Sequence, residues 1–157
     1  MTVALVRVDD RLVHGQVVVG WGRPLRAAFV VVVDDALAAS EWEQELYRLG
    51  APAELGLEFV TVAEAAERRA AWEADPRPGI VLFGDVATAT DLATLGIRFP
   101  RLNLGGIHHR AGRAERLPYV FLTDDEIGAL RTLAAAGVDV TAQDVPTTRP
   151  VPLAELP

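Results

Sequence analysis

Two carboxylates, two guanidinium groups, an imidazole and a glycine crowd into Val6-Arg7-Val8-Asp9-Asp10-Arg11-Leu12-Val13-His14-Gly15-Gln16-Val17. Histidine, with an unperturbed pKa of roughly 6.5, offers a neutral nucleophilic nitrogen near neutral pH. Beside Arg11, a fixed positive charge that can receive an anion, His14 reads in three ways: a nucleophile for phosphoryl transfer, a general base, or a packed side chain without chemistry. Phosphoryl transfer asks for few side chains, because positioning and charge stabilisation supply almost all of the catalysis. Asp9 and Asp10 are placed to orient the ring or Arg11, although acidic residues at strand ends also serve as caps and turns.

These residues need a frame. Val3 to Val8 reads as a buried strand and Gly15 to Trp21 as the first turns of a helix, so His14 falls on a strand-to-helix connection. Ligands of open α/β sheets bind at the carboxyl ends of the strands. A helix N-terminus there adds free N–H groups and the positive end of the macrodipole, both suited to a phosphate.

The rest of the chain alternates strands with helical patterns. Ala27 to Val33 is so continuously apolar that it predicts a central parallel strand. Asp34 and Asp35 close it, either facing the His14 site or capping the helix that follows, Ala36 to Leu49. Leu57 to Val62 is a third strand, followed by the alanine-rich helix Ala63 to Ala74, whose charges read as a solvated face. Ile80 to Phe83 is a fourth, with Gly84-Asp85 as a turn and Ala87 to Leu95 as a helix. Arg101 to Leu104 leads into Gly105-Gly106, a pair suited to close backbone approach. Ile107 to Arg116 reads as a mobile basic loop. Its adjacent His108 and His109 make a poor metal site, since neighbours in an extended segment point apart and no third ligand stands at a recognisable spacing. After a strand at Tyr119 to Leu122, Thr123 and Glu126 carry a capping-box signature for a helix reaching Gly137. Val138 to Gln143 is the last strand, and the proline-rich tail, about residues 146–157, is extended, packed over the domain or loose. The pattern predicts one domain over residues 1–157, a three-layer α/β/α fold on a mainly parallel sheet, with room for an antiparallel edge pair within Leu104 to Leu122.

Composition sets bounds. A chain of 157 residues is long enough for a core without staples, and with no cysteine it has no disulfide or thiolate metal site. No apolar run approaches the roughly 18 residues that span a bilayer, and no signal-peptide pattern opens the sequence, so the expected location is cytoplasmic. A net charge of -7 disfavours a general role on nucleic acid.

Arg7-Val8-Asp9-Asp10-Arg11-Leu12-Val13-His14-Gly15-Gln16-Val17 with Trp21 resembles the signature of the IIB subunit of mannose/fructose/sorbose-family sugar phosphotransferase systems. The similarity continues through Asn103-Leu104-Gly105-Gly106-Ile107, Val120-Phe121-Leu122 with Thr123-Asp124-Asp125-Glu126, and Gln143-Asp144-Val145-Pro146. Two places depart from the family pattern: Gly84-Asp85-Val86-Ala87, where a small polar residue and a proline are usual, and Ala114-Glu115 in the basic loop. The resemblance implies that His14 takes a phosphoryl group from a phosphohistidine of a IIA partner, through Nδ1, and passes it to a sugar held by the membrane subunits IIC and IID. It implies phosphate stabilisation for Arg11 and loop support for Asp10. No cofactor or metal is needed, because Arg11 and the helix terminus supply the positive charge. A regulatory phosphocarrier without transport partners, or an anion-binding domain in which His14 only hydrogen-bonds a ligand, are the alternatives.

Overall fold

The computed structural model describes residues 3–157. Strand β1 (Val3–Val8) leads through the site loop into a π-helix, Gln16–Trp21, continued by the short helix α1 (Gly22–Leu25). Then follow β2 (Phe29–Val33), α2 (Asp35–Ala38), α3 (Glu41–Leu49), β3 (Gly56–Val60), α4 (Val62–Ala74), β4 (Gly79–Phe83) and α5 (Val86–Thr94). The second half holds β5 (Arg101–Leu104), the ribbon β6 (Ala114–Leu117) and β7 (Val120–Leu122), α6 (Asp124–Ala135), β8 (Asp139–Ala142) and β9 (Val151–Pro152). The main sheet runs β3-β2-β4-β1-β5-β8-β9, parallel throughout except for β9, which pairs antiparallel with β8.

Side chains alternate across this sheet, as a period of two requires. Val31, Val33, Val81 and Phe83 enter a core with residues of α4, α5 and α6, whereas Val30, Val32, Ile80 and Leu82 meet Leu12, Val17, Trp21 and Leu37 on the other face. Burial on both faces explains why β2 reads as one unbroken apolar run. The result is the expected three-layer architecture. The antiparallel pair is present as the β6–β7 ribbon, standing beside the sheet and touching it through a bridge between Ile107 and Val120.

Local chemistry sets the helix boundaries. Thr123 accepts from the Glu126 N–H and the Glu126 side chain accepts from the Thr123 N–H, the capping box expected from sequence; Thr61 and Glu64 repeat it on α4. The single helix expected over Ala36 to Leu49 is two, because α2 ends at Ala38 and the extended Ser40 restarts the chain as α3. The basic segment is tied down: Arg113 clamps Glu126, and Arg116 bonds Leu122 O and Asp124. The tail packs rather than hanging loose, with Leu153 and Leu156 buried.

Candidate functional site

β1 lies between β4 and β5, and the chain leaves the ends of β1 and β5 toward opposite faces of the sheet. That divergence opens a crevice at the carboxyl ends of the strands. The loop Asp9–Gly15 occupies it. Leu12 N–H closes a turn on Asp9 O (3.0 Å), and Leu12 itself adopts φ 58°, a left-handed conformation unfavourable for leucine. Its buried side chain on the apolar core holds it there. The π-helix opens immediately after His14, whose carbonyl accepts from both Val17 and Val18. π-helical turns recur at functional sites, and the first N–H groups of a helix have no partner within it.

Asp9 is the hub. Its carboxylate is fully buried and receives Arg7 Nε (3.3 Å) and Nη2 (3.2 Å), the Arg11 N–H (3.1 Å) and the Gly106 N–H (3.4 Å). His14 Nε2 lies 3.1 Å from Asp9 Oδ2, close enough for an ion pair though off the line of a straight N–H···O bond. Burial pushes the Asp9 carboxyl upward, but the hydrogen bond and charge of His14, the charge of Arg7 and the Arg11 N–H outweigh it and hold the group below its ordinary value. Asp9 is therefore a fixed negative charge under the imidazole. His14 Nε2 is turned inward onto it.

Arg7 fixes Asp9. Its guanidinium, wholly buried, also donates to Asn103 Oδ1 and to the carbonyls of Gln143 (2.8 Å) and Asp144 (3.1 Å), and lies 5.3 Å from the Trp21 ring centre. Desolvation draws its pKa below the usual arginine value, against the charge of Asp9. Arg11 is 46% exposed, with Nη2 donating to Gln16 Oε1 (2.8 Å) and Gln16 in turn donating to Asp144 Oδ1 (2.8 Å). Its exposed portion can take an anion.

Of the residues singled out from sequence, His14, Arg11 and Asp9 converge. Asp10 faces the other way, bonded to His108. Asp34 and Asp35 do not join the site: Asp34 caps α2 and Asp35 accepts from the Val62 N–H. Arg7, Gln16 and Asp144 were not anticipated. The signals were an arginine inside a largely apolar strand and Gly105, whose lack of a Cβ makes room for it.

An apolar groove opens beside the imidazole, lined by Val13, Val18, Val19, Leu46 and Leu49. Val19, Leu46 and Leu49 are exposed, as is Trp42 one turn earlier on α3.

Fold and loop together define a doubly wound α/β domain that presents one imidazole, backed by a buried carboxylate, at a strand–helix junction. The chain belongs to the sorbose subfamily of IIB components of the phosphotransferase system (PTS), whose family model matches residues 3–156. It is 34% identical over 148 residues to the N-acetylgalactosamine-specific phosphotransferase enzyme IIB component 1 of Escherichia coli (strain K12), covering 92% of this chain and 91% of that relative. It is 27% identical over 147 residues to the mannose-specific EIIAB component of the same organism, covering 94% of this chain and 46% of that longer protein. The IIBSor domain of the sorbose permease from Klebsiella pneumoniae has the same fold, with a TM-score of 0.87, 26% identity and coverage of 99% and 96%. Among the described residues no helix is long and apolar enough to cross a membrane.

Proposed function

We propose that this IIB component is a phosphohistidine carrier: His14 takes a phosphoryl group from a IIA phosphohistidine and passes it, on the cytoplasmic side, to a sugar bound by the IIC and IID membrane subunits. The observation that carries this reading is the Asp9–His14 arrangement. A buried carboxylate 3.1 Å from Nε2 favours the proton on that nitrogen and so the tautomer whose Nδ1 lone pair is free, and an oriented lone pair is what a nucleophile needs. Nδ1 attacks the donor phosphorus. The donor's P–N bond breaks as the new one forms, and its electron pair returns to the donor ring, which takes up a proton. Arg11 stabilises the equatorial oxygens, and Asp9 balances positive charge that develops on the His14 ring. In the second transfer a sugar hydroxyl oxygen attacks the same phosphorus, loses its proton, and the His14 P–N bond returns its electrons to Nδ1.

The donor must approach across the groove that contains the ring. Val19, Leu46 and Leu49 give it an apolar rim to cover, fitting a transient interface at the small end of the usual range, roughly 1,200 Å². A relative named as an EIIAB component supports a IIA partner.

The test is phosphoryl transfer from phosphoenolpyruvate through the general carrier proteins and a cognate IIA, followed as acid-labile, base-stable label. Glutamine places its amide near the position of Nε2 and has nothing at Nδ1, so His14→Gln keeps the contact to Asp9 and loses the nucleophile. Label is expected on the wild type and absent from His14→Gln. An unlabelled wild type with active IIA, or label that persists on His14→Gln, refutes the reading.

A further inference from the structure

Asp9 anchors the site loop from below; a second set of contacts holds it from outside. Asp10 N–H donates to Gly106 O (2.9 Å), and His108 N–H donates to Asp10 Oδ2 (2.7 Å). These are backbone groups that any residue would supply at 106 and almost any at 108. The imidazole adds something specific: His108 Nδ1 lies 2.6 Å from Asp10 Oδ1, so both carboxylate oxygens are engaged. His108 is 63% exposed, whereas Asp10 is only 12% exposed. No packing requirement explains an imidazole at so open a position.

The segment that carries His108 is itself rigidly held. Ile107 N–H donates to Tyr119 O, Phe121 N–H donates to Ile107 O, and His109 stands edge-on to Phe121. Arg113 donates to His108 O while its other nitrogens grip both oxygens of Glu126 at the start of α6. A continuous line of bonds thus runs from α6 through Arg113 and His108 to Asp10. Asp10 is the second residue of the turn that continues into Arg11, the left-handed Leu12 and His14. A turn with leucine in that conformation has better-populated alternatives and needs restraint on both sides.

We infer that His108 is a positioning residue for transfer at His14: its Nδ1–H clasps Asp10 and thereby holds the turn that sets Arg11 on Asp9, the carboxylate that also meets His14, an assignment that rests on the reading of His14 as the phosphoryl acceptor. The clasp does not touch the phosphoryl group. It limits the loop to conformers in which Arg11 and Nδ1 face the same incoming phosphorus, so it acts on kcat more than on donor KM.

Side-chain geometry supplies a test. Asparagine places its amide nitrogen where histidine has Nδ1; glutamine places it one bond further, near Nε2. Transfer from phosphorylated IIA is measured on the wild type, His108→Asn, His108→Gln and His108→Ala, with thermal unfolding of each. His108→Ala and His108→Gln are expected to lose roughly three- to tenfold in kcat, the order of one charge-assisted hydrogen bond, with KM within about twofold and Tm lowered by no more than about 5 °C. His108→Asn is expected to recover most of the rate. The proposal is overturned if all three variants match the wild type, if His108→Asn is as slow as the other two, or if the loss lies entirely in KM, which marks a docking contact instead. A wild type that takes no label removes the carrier reading and this one with it; a labelled wild type beside an equally fast His108→Ala removes only the clasp.

Discussion

Gly105→Ala puts a methyl group where the Arg7 guanidinium already stands: a Cβ on Gly105 falls on Cζ, Nε and Nη2 of Arg7, far inside van der Waals contact. Neither side yields without breaking hydrogen bonds. Gly105 N–H is bonded to Val8 O (2.8 Å), and Arg7 is fully buried with five hydrogen bonds, two to Asp9 and one each to Asn103, Gln143 O and Asp144 O. The methyl therefore displaces the guanidinium and strips the buried Asp9 carboxylate of its counter-charge. Breaking a buried ion pair from one side costs about 3–5 kcal/mol, a large part of the roughly 5–15 kcal/mol that holds a domain together. At about 2–4 °C per kcal/mol for a chain of this size, Tm should fall by roughly 6–20 °C. Transfer to His14 should fall by about 10²-fold, the order expected for an ångström of misplacement. Urea unfolding and label uptake would be measured for Gly105→Ala, Arg7→Met and the double variant. If the methyl acts only by evicting Arg7, it costs under ~1 kcal/mol in the Arg7→Met background, and the coupling approaches the full cost of the single variant. A Gly105→Ala protein within ~1 kcal/mol of the wild type, or two costs that simply add, would refute the steric account.

Acid stability should report Asp9. Its folded pKa lies below the unfolded value of about 3.9, so its contribution is complete above that value and drains away as pH falls through the folded one. The urea midpoint of the wild type should drop steeply below about pH 4, and the drop should flatten in Asp9→Asn; parallel curves would remove Asp9 as the acid-sensitive group. On α3, Leu49 is 82% exposed, so Leu49→Ser should leave stability within about 0.5 kcal/mol while raising the KM for phosphorylated IIA several-fold. An unchanged KM would take this residue out of the docking surface.

Much of the frame was legible because short-range chemistry wrote it. The valines of β2 announce a strand covered on both faces, and Thr123 with Glu126 announces the start of α6. The break at Ser40 was hidden, since apolar spacing through Leu37, Trp42, Leu46 and Leu49 continues across it while most of those side chains face solvent. At the site, His14 and Arg11 stood out by type, being reactive groups in one loop. Arg7 did not, because a lone charge in a strand normally points to water; here it points inward, and its partners come from residues near 103 and 143, beyond the reach of any local pattern. The arginines of the basic segment misled in the opposite sense. Arg113 and Arg116 read as part of a mobile basic loop and are spent on Glu126, Asp124 and backbone carbonyls.

The carbonyls of Gln143 and Asp144 that receive Arg7 are separated from it by 136 and 137 positions. At a synthesis rate of about 5–20 residues per second, a nascent chain carries that guanidinium for roughly 7–27 seconds before its acceptors exist. β1 sits in the middle of the sheet, yet its charge has no complete set of partners until β8 has formed. The emerging chain is thus denied an early, stable N-terminal half. The buried charge network beneath the histidine loop and the β8 side of the sheet are therefore completed together, late in synthesis.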